Sequence, residues 1–196
     1  MVRAITHPVG VPNEISIIQS LLAHGLEHLL VRKPGFSAGA YEQFIGDIPR
    51  EFYPRIMVAE YPAVAAALGL KGVHLNSQLR MQHHTLALQQ TGMQISTSIH
   101  AYRELQIVAH FNEVYLSPVF DSISKSGYHG RFDHSFHPSN RQLIALGGIN
   151  SRTINIAKKL GFSSVACIGA LWDEPTKALS NYLQLKEQWA QIEYTP

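Results

Sequence analysis

Short apolar runs alternate with amphipathic segments along the chain. The runs fall at residues 2–6, 26–32, 55–60, 72–76, 94–100, 113–120, 143–149 and 164–171. Several are continuously apolar rather than alternating, as strands covered on both faces of a parallel sheet are. Between them the spacing predicts helices over 13–24, 38–45, 62–68, 82–90, 101–109, 151–160 and 175–191. Gly25, Gly69, Gly92 and Gly161 each follow one of these segments, where a left-handed residue closes the last turn. Ser151 suits the N-cap of its helix, and Pro175 suits the first turn of the last one. The connection 121–138 breaks the rhythm. It contains Gly127 and Gly130 and lacks helical periodicity, so it reads as a functional loop or one degraded helix.

About eight strand-helix units in one alternation predict an α/β fold: a (β/α)8 TIM barrel with a short or missing sixth helix, as a single compact domain over 1–196. A doubly wound open sheet with fewer strands is the alternative. With 196 residues, 45% hydrophobic and 15% charged, there is material for one core and too little for two ordinary domains. The net charge of +2 comes from 16 basic and 14 acidic residues without long blocks, which leaves no footprint for nucleic acid or an anionic membrane. No apolar stretch reaches the roughly 18 residues of a membrane span. The one cysteine, Cys167, lies in an apolar run and can form no intrachain disulfide. A buried small hydrophobe in a reducing, cytoplasmic setting is expected.

A barrel predicts more than a shape, because the C-terminal ends of its strands converge on one site. Those ends carry Arg32 and Lys33, Glu60, His74 with Asn76, Ser98 with His100, the segment 117–125, Gly147-Gly148-Ile149 and Ile168-Gly169. The set is rich in anion donors and poor in carboxylates. Paired glycines let the backbone approach a ligand, and the helical segment behind them favours an anion. The run 164–170 repeats that layout, so two consecutive strands can offer amides to one phosphate. Arg32 can hold a phosphate by its planar fork, and Ser122, Ser124 and Lys125 resemble a loop closing over a second anion. Taken singly, each is more readily a solvated surface group, and the glycines are as readily an ordinary turn; their shared place on one rim shifts the weighting. A histidine at a strand end is more often packed than catalytic, so His74 and His100 carry both readings. The run 128–137 gathers three histidines and an aspartate. Without cysteines or a glutamate-flanked helical pair, it reads as a polar loop rather than a zinc site.

Six short pieces then follow one another in a telling order. They are Ala4-Ile5-Thr6, Leu30-Val31-Arg32, the Gly-Val-His-Leu at 72–75, Ser96-Thr97-Ser98-Ile99-His100, Ser117-Pro118-Val119-Phe120 running on to Lys125, and Ala145-Leu146-Gly147-Gly148-Ile149. In that order and spacing the chain resembles thiamine phosphate synthase and its TenI-type relatives, which include thiazole tautomerases. The resemblance covers nearly the whole length. It implies a TIM-barrel transferase of thiamine biosynthesis, with a phosphorylated thiazole and hydroxymethylpyrimidine diphosphate as partners and a homodimer as the assembly. In that chemistry magnesium and basic groups draw off the diphosphate, a pyrimidine cation forms, and the thiazole nitrogen captures it.

Residue by residue, the resemblance assigns Arg32, Ser98 and Lys125 to the diphosphate side, with Ser122 and Ser124 in place of the family's threonines. It assigns Gly148, Ile168 and Gly169, beside Gly147, to the thiazole phosphate. The chain also departs from the pattern. Ala59-Glu60 stands where the family has Asn-Asp, and Asn76-Ser77-Gln78-Leu79 lacks the family's next aspartate. Leu30 replaces a glutamine and Pro34 a lysine, with Lys33 adjacent. Magnesium, which wants several hard oxygen ligands, is left with Glu60 as its expected ligand. The tautomerases place a proton-shuttling histidine where this chain has Pro118, so His74 and His100 are the substitutes; His100 joins Arg32 and Lys125 as a catalytic candidate. Two other readings stand beside the synthase: a tautomerase-like isomerase, and a noncatalytic protein that binds thiazole phosphate or thiamine phosphate.

Overall fold

Strands of three to six residues, buried along almost their whole length, carry the architecture. In the computed structural model, which describes residues 1–82, 85–120 and 143–191, these are β1 Val2–Ile5, β2 Leu29–Val31, β3 Ile56–Ala59, β4 Gly72–Leu75, β5 Gln94–Ile99, β6 Glu113–Leu116, β7 Leu143–Leu146 and β8 Ser164–Cys167. They pair in sequence order, all parallel, and β8 returns to β1 to close the cylinder. The fold is a TIM barrel, and the open sheet is excluded. Around it lie α1 Glu14–Ala23, α2 Ala38–Gly46, α3 Pro62–Leu68, α4 Leu79–Gln82, α5 Thr85–Gln90, α6 Ile154–Lys159, α7 Gly169–Trp172 and α8 Ala178–Gln191. The expected short or missing sixth helix and the run 128–137 lie outside the described residues. Among the described residues no helix is long and apolar enough to cross a membrane.

Gly25, Gly69, Gly92 and Gly161 all take the positive φ expected after their helices. Other boundaries move, each for a local reason. Helix α6 starts at Ile154 with Thr153 at its N-cap, so Ser151 does not cap it. Ser151 lies in a turn in which Asn150 Oδ1 accepts from Arg152 N at 2.8 Å. Within the predicted helix 82–90 the described part is α5, and a separate turn of helix, α4, begins before it at Leu79, where Asn76 Oδ1 accepts the N–H groups of Gln78 and Leu79 at 3.0 and 2.9 Å. In place of a helix over 101–109 there is a 3-10 turn, Tyr102–Gln106, entered where Glu104 Oε1 takes the N–H groups of His100 and Ala101. A second such turn, Pro175–Lys177, leads into α8.

Alternation along each strand sorts the side chains into two cores. Val2, Ala4, Leu29, Val31, Ile56 and Val58 belong to the large cluster under the helices, while Ile5, Leu30, Met57, Ala59, Tyr115, Ile144 and Ala166 form a separate one inside the cylinder. Cys167 falls in the outer core, and burial pushes its thiol up to about 12, which makes it the inert small hydrophobe expected.

The interior also holds charge. At its N-terminal end Arg3 Nη1 lies 2.7 Å from Glu113 Oε2 and 2.9 Å from His28 Nδ1, while Arg3 Nε donates to Ser164 Oγ at 3.1 Å. Lys71 Nζ also reaches His28 Nδ1, at 2.9 Å. With two cations on Nδ1, His28 keeps its proton on Nε2, beside Tyr115 Oη at 3.4 Å. Burial first, then the charges of Arg3 and Lys71, lower this imidazole to about 2. One layer nearer the mouth, His74 meets Ser96 Oγ through Nδ1 at 2.9 Å and Ser98 Oγ through Nε2 at 3.1 Å, with the Tyr115 ring edge-on 5.2 Å away. Burial and the Arg32 charge lower His74 to about 3. This polar column has one sequence signal, polar residues at inward-facing strand positions, and a pattern search for apolar runs passes over it.

Folded, both imidazoles stay neutral well below the ordinary histidine value of 6.5; unfolded, each takes up a proton near that pH. The unfolded chain then binds more protons, so stability falls as pH drops below that ordinary value, by up to about 1.4 kcal/mol per pH unit for each imidazole. Urea denaturation of wild type between about pH 7.5 and 5 should show that decline, and His74→Gln should remove about half of the slope. An unchanged slope would contradict a neutral His74.

Candidate functional site

Strand register places the C-terminal ends on one rim. Leu146 pairs with Ala166, so Gly148 and Ile168, two residues further on, leave the barrel side by side, and Gly169 opens α7. Gly147 and Gly148 take φ of 94 and 65. Among the described residues the main-chain N–H groups of Gly148 and Gly169 have no protein acceptor. The turn after β7 is held from its carbonyl side instead. Gly148 O accepts from Thr153 Oγ1 at 2.7 Å and Asn150 Nδ2 at 3.2 Å. These are adjacent, unspent backbone donors of the kind that bind a phosphate.

The paired glycines do different jobs. A Cβ on Gly147 would lie 2.8 Å from Pro118 Cα and 2.9 Å from Pro118 Cβ, so only glycine lets the segment after β6 pass. That segment is tied down by Val119 N to Leu146 O at 2.9 Å and Phe120 N to Gly147 O at 3.2 Å. Gly147 is therefore a packing glycine, and Gly148 is the one with an available amide. Ile168 turns its side chain onto the interior cluster.

Arg32 and Lys33 separate in the same way, since neighbours on a strand face opposite sides. Arg32 is exposed at the end of β2 and has no ion pair among the described residues. Its N–H donates to Thr6 Oγ1 at 2.8 Å, and Thr6 Oγ1 donates back to Arg32 O at 3.0 Å, which fixes it to the end of β1. Lys33 is 2% exposed, with Nζ on both Glu14 carboxylate oxygens and on His7 O. Its expected place as a basic group of the rim is thus corrected: it holds α1 to the barrel.

The two histidines also part. His74 is packed with both ring nitrogens engaged, whereas exposed His100 donates from Nδ1 to Ser117 O at 2.7 Å and keeps the lone pair of Nε2. A brace that the sequence reading missed positions His100. Arg80 joins Ser98 O at 3.0 Å to Glu104 Oε2 at 2.9 Å, and Glu104 Oε1 holds the His100 N–H at 2.9 Å. Burial alone would raise the Glu104 carboxyl; hydrogen bonds from His100, Arg80 and Ala101 outweigh it and hold the group below its ordinary value. The signal available was a glutamate three residues after Ala101, which precedes the turn, the acidic half of a capping box.

Between β3 and β4, Glu60 has φ 73, a left-handed conformation that costs a residue with a side chain about 1–3 kcal/mol. Its N–H donates to His74 O at 2.9 Å, and its Oε1 accepts from Asn76 Nδ2 at 2.8 Å. Ser122, Ser124 and Lys125 lie outside the described residues. Among the described residues no group of three or more His, Cys, Asp or Glu could hold a metal ion. A shallow cleft between α1 and Pro175–Lys177 is lined by Asn13, Ser16, Ser20 and Thr176, and includes neither a charged side chain nor a strand-end residue.

Comparison with known proteins gives this geometry a context. The family model described as thiamine monophosphate synthase matches residues 4–171. A thiamine-phosphate synthase of Lysinibacillus sphaericus (strain C3-41) is 26% identical over 183 residues, 85% of this chain and 84% of that one. The crystal structure of thiamine phosphate pyrophosphorylase from Bacteroides thetaiotaomicron has a TM-score of 0.76 at 23% identity, over 99% of this chain and 98% of that chain. The thiamine phosphate pyrophosphorylase from Pyrococcus furiosus has a TM-score of 0.74 at 17% identity, over 97% and 95%. At these identities the two structures speak for the fold.

Gly147→Ala combines an unfavourable φ with a backbone collision and should destabilise the protein by about 1–3 kcal/mol or more in urea denaturation. Gly10→Ala, where a Cβ would meet nothing within 4 Å, should change stability by less than about 0.5 kcal/mol. Equal effects would show that Pro118 does not set the identity of residue 147.

Proposed function

Because the chain belongs to the thiamine monophosphate synthase family, we propose that its barrel mouth binds a phosphorylated thiazole and couples it to hydroxymethylpyrimidine diphosphate. The observation that carries this reading is the pair of neighbouring turns after β7 and β8, whose Gly148 and Gly169 N–H groups have no acceptor among the described residues. These amides receive the thiazole phosphate, with Ile168 as the apolar floor beside it. Arg32, at the end of β2, takes the diphosphate by its planar fork, with the Ser98 hydroxyl of β5 as a further donor. Lys125, Ser122 and Ser124 complete that side in this reading.

The reaction breaks the bond between the pyrimidine methylene carbon and the diphosphate oxygen, with the electron pair leaving on oxygen. The thiazole nitrogen then uses its lone pair to form the new carbon–nitrogen bond. The chain contributes position and charge: Arg32 steadies the departing anion, and the amide cup aims the thiazole at the carbon it attacks. A second reading rests on His100, whose Nε2 has a lone pair at the rim while His74 has none to offer. In a tautomerase-like isomerase His100 would move the proton.

Calorimetric titration with thiazole phosphate, the pyrimidine diphosphate and thiamine phosphate, beside a turnover assay with both substrates, tests the proposal. Thiamine phosphate formation is the expected outcome. Turnover of the thiazole tautomer alone would favour the isomerase, and binding without turnover a noncatalytic role. Arg32→Ala should weaken diphosphate binding about tenfold or more and thiazole phosphate binding far less, because one charge-assisted contact is lost on one side only. Equal loss of both would refute the placement of Arg32.

A further inference from the structure

The rim between β3 and β4 carries a hydrogen bond at the place where metal-assisted departure of a diphosphate would need clustered carboxylates. Asn76 Oδ1 accepts from two main-chain donors, Gln78 N at 3.0 Å and Leu79 N at 2.9 Å, and of the two amide atoms only the oxygen can do so. The orientation of the amide follows from that network rather than from its shape. Its NH2 group must then face Glu60, and it reaches Oε1 at 2.8 Å. Glu60 is held in turn by its own backbone, with φ 73 and its N–H on His74 O at 2.9 Å. Magnesium demands hard oxygen donors in near-octahedral geometry. Here the second group points positive hydrogens at the carboxylate oxygen that would bind the ion. The donor set of these two strand ends does not fit magnesium.

We propose that Glu60 and Asn76 form a hydrogen-bonded latch that ties β3 to β4 in place of a divalent cation, so that the mouth takes its phosphorylated ligand without a metal at this rim. The latch spends Glu60 Oε1 and leaves Oε2 without a protein donor among the described residues, as an acceptor for an amino or hydroxyl group of the ligand. The negative charge of the phosphate is met by the Arg32 guanidinium and by main-chain amides. The identity of the ligand rests on the function proposed above; the latch itself rests on the geometry of Glu60 and Asn76.

Aspartate serves at a helix start about as well as asparagine, so Asn76→Asp keeps the bonds to Gln78 and Leu79 and sets a second carboxylate against Glu60. Manganese binding to the full chain, followed by electron paramagnetic resonance, gives a readout free of activity, and thermal melts confirm that each variant is folded. Wild type should show no saturable site at this rim tighter than about 1 mM. Asn76→Asp should gain manganese affinity by about tenfold or more, and Glu60→Gln added to it should abolish the gain. Thiazole phosphate should bind wild type with the same affinity, within about twofold, with and without magnesium. A wild-type manganese site that Glu60→Gln removes, or the absence of any gain in Asn76→Asp, would overturn the latch. If thiazole phosphate does not bind at all while the manganese results hold, the function fails and the latch stands.

Discussion

Pairing of β8 with β1 leaves no strand of this sheet with a free edge, and that closure governs the rest of the molecule. Every strand must then divide its side chains between a helix-covered outside and a narrow inside. Because all strands run the same way, their C-terminal ends arrive at one rim whatever their separation in sequence. Residues as distant as Arg32 and Gly169 become neighbours of one mouth for that reason, and the functional reading depends on it.

Closure also explains the polar column within the cylinder. The inward position of β6 nearest the base is Glu113, and a carboxylate there survives only with partners, which Arg3, Lys71 and neutral His28 supply. Such a cluster is weak evidence for net stability, since an apolar layer of similar volume does as well. Its effect is to specify geometry. It fixes the ring of His28 beside Tyr115, and Tyr115 packs edge-on against His74, which holds Ser98 at the mouth. Base and mouth are thus connected by contacts that leave little rotational freedom to the groups lining the site.

At the rim, the fold divides similar residues between structure and chemistry. Gly147 makes room for Pro118 while Gly148 keeps an amide to offer. Lys33 is spent on Glu14 while Arg32 is exposed, and His74 is spent on two serines while His100 has only Nδ1 engaged among the described residues. The chain shares its barrel with the thiamine monophosphate synthase family to which it belongs. Glu60 and Asn76 join the ends of β3 and β4 through a 2.8 Å hydrogen bond.

Strand order and helix closure by glycine were legible in the sequence, because periodicity and capping are properties of a few consecutive residues. The boundaries of α4 and α6 were less so, since residue spacing alone does not show that Asn76 Oδ1 takes the N–H groups of Gln78 and Leu79, or that the Thr153 hydroxyl is drawn back to Gly148 O ahead of its helix. Which member of each rim pair faces the site, which way the Asn76 amide turns, and the burial of Arg3 with Ser164 across 161 residues belonged to the tertiary structure alone. Those outcomes depend on which groups are desolvated together, and a linear chain does not specify its partners in burial until the barrel has closed.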